Sequence, residues 1–109
     1  MKIDITAIAD EAKAAALLLP WDLVLTIRGV DHPTRCPDLA SVAAMEKAAT
    51  TEQLRAALDA CFETWGGSVP GLRDDELPIV AGAILAELAK KKQAALAGVM
   101  RKHLSTSGK

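Results

Sequence analysis

The chain has 109 residues, the length of one typical domain, and half of them are hydrophobic, which argues against intrinsic disorder. Its formal net charge of −1 lacks the basic excess of proteins that bind nucleic acids mainly by charge. Ala and Leu dominate the hydrophobic residues, and aromatic residues make up only 3% of the chain. Because Ala and Leu are the strongest helix formers, this composition predicts a mainly α fold.

The first predicted element is a helix over residues 3–19. Apolar residues recur along it at spacings of three and four, which places them on one face: Ile5, Ile8, Ala12, Ala15 and Leu19. Asp4 or Thr6 could serve as its N-cap, and Pro20 ends it. A short strand over residues 2–6 is the alternative interpretation of its beginning.

One short β-hairpin is predicted next. Over residues 22–29, Leu23, Leu25 and Ile27 alternate with other side chains, a period of two that is typical of a half-buried strand. Residues 30–37 could return as a partner strand, which their two prolines confine to a sheet edge. Because a lone hairpin is marginally stable in water, we expect it to pack against helices.

Two further helices are predicted after the hairpin. Asp38 is a suitable N-cap for the first, and Thr50 with Gln53 forms the capping-box pattern that opens the second. The second helix carries the most regular apolar stripe in the chain: Leu54, Leu58, Cys61, Phe62 and Trp65. Gly66 and Gly67 supply the left-handed residues that end it.

The chain is predicted to finish with a long amphipathic helical region. We expect a single domain over residues 1–109, with a front part over residues 1–65, a loop over residues 66–73, a helical region over residues 74–104 and a disordered tail over residues 105–109. The pattern is compatible with either one bent helix or two helices in the helical region.

Charges mark two places in this helical region. Asp74 or Asp75 could cap its beginning, where negative charge offsets the helix dipole. The apolar stripe is interrupted at three consecutive lysines, residues 90–92, and resumes in a rotated position.

The resumed stripe is the candidate partner-binding surface, and its residues are Leu96, Val99, Met100 and Leu104. An amphipathic helix of this kind can offer its apolar face to a helix of another protein or to a second copy of the chain. The sequence therefore predicts a protein partner or self-association through the C-terminal helix.

A basic patch is the second candidate site, formed by Lys90, Lys91, Lys92, Arg101 and Lys102. It could bind nucleic acid, although Glu87 stands three and four residues before two of these lysines, the favourable spacing for local ion pairs. Nucleic acid is therefore not favoured as the main partner, and a small nucleic-acid-binding regulator is the alternative function.

No residue pattern predicts catalysis, a cofactor or a metal site. Two His and two Cys residues match the inventory of a zinc site, but no close Cys pair is present: His32, Cys36, Cys61 and His103. We expect a non-enzymatic, cytoplasmic protein with free thiols. The longest nearly uncharged run, residues 77–86, is too short to span a membrane, so no membrane association is expected.

The order of elements over residues 22–62 resembles that of phage tail assembly chaperones. The resemblance rests on the strand Leu23-Val24-Leu25-Thr26-Ile27-Arg28-Gly29, the short turn that follows, and small helices from Pro37 onwards. Members of that family are small cytoplasmic proteins that hold a tape-measure protein soluble before the tail polymerises. The resemblance implies an assembly role without catalysis, and no binding residue is carried over from it.

Overall fold

The structure, a computed structural model, describes residues 2–66 and 69–105. Within these ranges the fold is mainly α, which confirms the prediction from composition. The helices are α1 (Ile5–Leu18), α2 (Leu39–Lys47), α3 (Thr51–Thr64) and α4 (Leu77–Ser105), and strands β1 (Val24–Ile27) and β2 (Val30–Pro33) form one antiparallel hairpin.

Contacts within the chain divide it into two compact units. The terminal unit comprises residues 1–20 and 87–109, and the central unit comprises residues 21–86. Helix α4 contributes its first part to the central unit and the remainder to the terminal unit.

Helix α1 begins at a side-chain cap. Oδ1 of Asp4 accepts a hydrogen bond from the backbone N–H of Ala7 at 3.0 Å, so Asp4 is the N-cap and the alternative strand over residues 2–6 is wrong. The helix ends at Leu18 because Leu19, which precedes a proline, takes an extended conformation (φ −71°, ψ 149°).

The hairpin turns on two residues with left-handed backbone conformations. Arg28 has φ +47° and Gly29 has φ +80°, which is the type I′ pattern that matches the natural twist of paired strands. In the resulting register Ile27 lies opposite Val30 and Val24 lies opposite Pro33. The predicted edge position of the second strand agrees with this two-stranded sheet.

A buried hydroxyl fastens the open end of the hairpin. Nε1 of Trp21 donates to Oγ1 of Thr34 at 2.8 Å, and this hydroxyl in turn donates to the carbonyl oxygen of Leu23 at 2.6 Å. The backbone N–H of Thr34 also donates to that carbonyl at 3.1 Å. The hydroxyl and the backbone N–H of this buried threonine therefore both have partners, as burial requires.

Side chains cap the next two helices as the sequence predicts. Oδ1 of Asp38 accepts from the backbone N–H of Ser41 at 2.7 Å, and this backbone contact lowers the pKa of Asp38. Thr50 accepts from the N–H of Gln53 at 3.1 Å, while Oε1 of Gln53 reaches back to the N–H of Ala49 at 2.8 Å. A capping box therefore starts α3.

Helix α3 ends at Thr64, and Trp65 is its C-cap. Gly66, the next residue, has φ +77°, the left-handed conformation that the sequence predicts at this helix end. The second glycine of the predicted stop, Gly67, lies outside the described residues.

Helix α4 is one continuous helix, which decides between the two alternatives that the sequence left open. It begins at Leu77, three residues later than predicted, because residues 74–76 form a hydrogen-bonded turn before the helix. Oε1 of Glu76 accepts from the backbone N–H of Arg73 at 2.7 Å, and this contact is the main reason why the pKa of Glu76 is lowered. Of the predicted disordered tail, Ser105 is the last residue of α4 and residues 106–109 lie outside the described part.

The core of the central unit gathers side chains from β1, α2, α3, the segment before α4 and the first part of α4. Leu58, Leu77 and Ile84 are completely buried. The other members of this core are Ile27, Met45, Ala57, Cys61, Phe62, Leu72, Val80 and Ala81. The stripe predicted on α3 thus supplies a large share of the core.

Two arginines hold the segment before α4. The guanidinium of Arg28 donates to the carbonyl oxygen of Gly71 at 2.6 Å and pairs with Glu76. Arg55 of α3 donates to the carbonyl oxygen of Leu72 at 2.6 Å and pairs with Asp74.

Candidate partner-binding groove

The terminal unit has a small core where α1 and the last part of α4 pack together. Ile8, Ala12 and Val99 are buried there, and Ala15 is packed against them. Val99, which the sequence places in the partner-binding surface, is only 6% exposed. Its side chain therefore belongs to the core of this unit.

An apolar groove of about 380 Å³ lies beside this core. Every side chain that lines it is a hydrocarbon or a thioether: Ile3, Ile5, Ile8, Ala9, Leu96, Met100 and Leu104. Apart from Ile8, the large side chains are well exposed, from 38% at Leu104 to 72% at Ile5. We call this feature the apolar groove.

Helical spacing explains how each wall of the apolar groove forms. Leu96, Met100 and Leu104 are four residues apart and therefore form one row along α4. Ile5 and Ala9 form the matching row on α1 by the same spacing. Three of the four residues that the sequence selected thus lie together, and they meet residues that the sequence did not select.

The α1 wall was missed because the pattern assigned Ile5 to a buried helix face. The apolar pair Ile3 and Ile5 at the beginning of the helix was the available signal. Periodicity identifies the apolar face of each helix but does not tell which distant segment it meets.

An ion-pair cluster joins the same two helices away from the groove. Oε1 of Glu11 accepts from Nζ of Lys102 at 2.9 Å, and Oε2 of Glu11 lies 2.7 Å from Nε2 of His103. The hydrogen bond from His103 is the main cause of the lowered pKa of Glu11, followed by the one from Lys102. At about 100° per residue, Glu11 lies on the opposite side of α1 from Ala9 and the groove.

The residues of the predicted basic patch lie on more than one side of α4. Lys90 and Lys91 lie 3.8 and 3.3 Å from the carboxylate of Glu87, so the predicted local pairs are present. At about 100° per residue, Lys90 shares a side of α4 with Arg101, and Lys91 shares a different side with Lys102. Lys92 points in a third direction.

The four residues of the zinc inventory have other surroundings. The ring of His32 meets the ring of Phe62 edge-on, with centroids 6.2 Å apart. Burial raises the pKa of the thiols of both Cys36 and Cys61, which disfavours the thiolate that binds metals. His103 lies in the terminal unit, where its ring contacts the carboxylate of Glu11. Among residues 2–66 and 69–105, no three His, Cys, Asp or Glu side chains are placed to hold a metal ion.

The central unit has a mixed cavity of about 420 Å³ between β2 and the end of α3. It is lined by Val30, Asp31, His32, Pro33, Thr34, Arg35, Phe62, Trp65 and Gly66. Two of its polar side chains serve the hairpin itself, since Oδ1 of Asp31 accepts from the hydroxyl of Thr26 at 2.7 Å and Thr34 holds Trp21. The apolar groove is therefore the stronger candidate site.

The two units carry opposite charge. The terminal unit contains eight Lys or Arg residues and four Asp or Glu residues, whereas the central unit contains five and ten. The overall charge of −1 thus combines a basic unit, which contains the groove, with an acidic one.

No family model, curated protein or solved structure matches the chain. The described helices include none with the length and apolar character that crossing a bilayer demands. The candidate site therefore rests on the geometry and chemistry of the chain itself.

Proposed function

We propose that this protein is a non-enzymatic protein-interaction or assembly factor, and that it binds its partner in the apolar groove. The observation that carries the proposal is the gathering of exposed apolar side chains from α1 and α4 along one groove, with Ile5 72% exposed. Contiguous apolar surface of this kind is uncommon on a monomer and typically marks a site of association.

The lining of the groove supports a protein ligand. It offers dispersion and burial of apolar surface, and its side chains include no hydrogen-bond donor and no acceptor stronger than the thioether of Met100. A small polar substrate would leave its own polar groups without partners there, which costs free energy. The apolar face of a helix has no polar side chains that would lose hydrogen bonds to water on entering such a groove. Binding of a helix in a groove is also a common mode of protein recognition.

A phage tail assembly chaperone or adaptor is the specific form of this role that we propose. Its support is the resemblance over residues 22–62, where a strand and turn lead into small helices. If the proposal is correct, the gene is expected to stand between a tail tube gene and a gene for a very long helical protein. A setting among unrelated metabolic genes would argue against this specific role.

A nucleic-acid-binding regulator is the alternative, supported by the basic excess of the terminal unit. The local pairing of Lys90, Lys91 and Lys102 with carboxylates reduces the charge available to phosphates. Fluorescence anisotropy with duplex DNA tests it. Salt-sensitive binding that weakens when Lys90 and Arg101 are both replaced by Gln would favour this alternative.

Capture of partners from a native lysate tests the groove, with the full chain immobilised. The informative variant is Met100→Glu, which places a carboxylate in the groove wall. The matched control is Ile79→Glu, because Ile79 is also an apolar residue of α4, is 71% exposed and does not line the groove.

We expect the wild type and Ile79→Glu to retain the same specific partner and Met100→Glu to lose it. Circular dichroism of each variant establishes that the helices are intact. An identical set of captured proteins for all three chains would overturn the proposed function.

A further inference from the structure

We infer that the occupant of the apolar groove is an amphipathic helix of another protein whose polar flanks are acidic. This inference rests on the proposed function and adds the chemistry of the partner. It follows from the shape of the groove, from the charges beside it, and from where other apolar surface lies on the chain.

The shape of the groove fits a helical segment. The row runs from Leu96 to Leu104, eight helical steps along α4, which is about 12 Å at 1.5 Å per residue. That length corresponds to about two turns of a partner helix, whose apolar side chains at positions i, i+4 and i+7 would face the groove.

Basic side chains continue both rows of the groove. Lys13 stands one turn after Ala9 on α1, and Lys92 stands one turn before Leu96 on α4. Arg101 is next to Met100 on the outer side of α4 and is exposed.

The acidic side chains of the terminal unit do not cancel this charge. Asp4 caps α1, Glu11 is paired with Lys102 and His103, and Glu87 is paired with Lys90 and Lys91. Asp10, exposed on α1, is the remaining acidic residue of the unit. With eight basic and four acidic residues, the unit attracts a partner with acidic flanks and repels a basic one.

A second copy of the chain is a weaker fit to the groove. A symmetric dimer through the groove would bring together two terminal units of the same net charge. Among the described residues, the other large exposed apolar side chains are spread over several elements and form no row at helical spacing that would enter a groove: Leu17, Leu18, Val24, Val30, Leu39, Val69 and Ile79.

Two synthetic peptides test the inference with the full chain. Both have about 18 residues, enough to form a helix on binding, and share one Leu stripe. The first carries Glu at the flanking positions, and the second carries Lys at the same positions. Isothermal titration calorimetry measures the affinity of each peptide at low and at high salt.

We expect the Glu peptide to bind at least about tenfold more tightly than the Lys peptide at low salt, and the ratio to shrink as salt screens the charges. Met100→Glu should weaken the Glu peptide by about tenfold or more, whereas Ile79→Glu should not. The double variant Lys13→Gln, Arg101→Gln keeps the apolar groove and should lower the preference for the Glu peptide.

Each other outcome overturns the inference in a distinguishable way. Equal affinity for both peptides, or no binding of either, removes the acidic helix as the occupant, while loss of lysate capture by Met100→Glu would still support the groove. A dimer in light scattering that Met100→Glu dissociates would identify a second copy as the occupant. Unchanged lysate capture by Met100→Glu would remove the proposed function itself.

Discussion

Glu11 of α1 and His103 of α4 are joined side chain to side chain, with Oε2 of the first 2.7 Å from Nε2 of the second. The two residues are 92 positions apart in the sequence. This contact and the ion pair between Glu11 and Lys102 link α1 to α4 through polar side chains. Ile8 and Val99 link the same two helices through apolar packing.

We predict that the stabilising effect of Glu11 disappears in acid. Because the pKa of Glu11 is lowered in the folded protein, its contribution is complete above the pKa of an unfolded glutamate, about 4.3, and is lost as the pH falls through the lowered folded value. Thermal unfolding of wild type and Glu11→Gln should therefore differ at neutral pH and converge as the pH is lowered through the folded pKa of Glu11. A difference that stays constant over this range would contradict the prediction, and Glu46→Gln, at an exposed position of α2, is the control.

Replacing Thr34 by Val should destabilise the protein by about 1–3 kcal/mol, because it removes a buried hydroxyl that has two partners. The indole N–H of Trp21 and the carbonyl oxygen of Leu23 would each lose a hydrogen bond. Urea unfolding measures the change in free energy. Thr34→Ser keeps the hydroxyl and should recover most of the stability, and a Val variant as stable as wild type would show that the hydroxyl is unimportant.

The hairpin turn should tolerate alanine poorly at Gly29. No atom lies within 4 Å of an added Cβ, but φ of +80° is unfavourable for any residue with a side chain, and we expect a loss of about 1 kcal/mol. Gly71→Ala is the matched control, since that position is equally open and has no positive φ. Unfolding by urea should rank Gly29→Ala below wild type and Gly71→Ala at or slightly above it; the reverse order would contradict the assigned turn.

Alanine at Gly82 should stabilise α4. This exposed glycine lies inside the helix and an added Cβ meets nothing within 4 Å, so the change should gain about 1 kcal/mol of helix propensity. Ala86→Gly, at another exposed position one turn later, should lose a similar amount. Thermal unfolding of the two variants checks the pair, and a destabilised Gly82→Ala would mean that the glycine has a role in packing.

Local features of the fold could be predicted well from the sequence. Asp38, Thr50 and Gly66 act at helix ends through contacts with residues only a few positions away, so the relevant partners can be read from spacing alone. The alternation over β1 is equally local. By contrast, the start of α4 was predicted three residues too early, because a turn over residues 74–76 precedes the helix. Several acidic residues in succession gave no indication of where the turn ends and the helix begins.

Long-range features could be predicted only in part. The stripe of α4 rotates beyond residue 90 because Leu77 and Ile84 serve the core of the central unit, whereas Val99 serves that of the terminal unit. Spacing along one helix identified Leu96 and Met100, but it could not show that Ile5 forms the opposite wall. Which segments meet is decided by tertiary packing, and no periodicity within a single element encodes it.

Arg28 combines an unfavourable backbone with a useful side chain. Asparagine or glycine would adopt its left-handed φ more easily, yet neither could reach Glu76 and the carbonyl oxygen of Gly71 as the guanidinium does. Replacement of this arginine by asparagine would relax the turn but would remove both contacts to the segment that leads into α4. The turn of the hairpin thus also fixes the position of a segment more than forty residues further along the chain. A substitution of Arg28 is therefore expected to loosen that segment as well as to alter the turn.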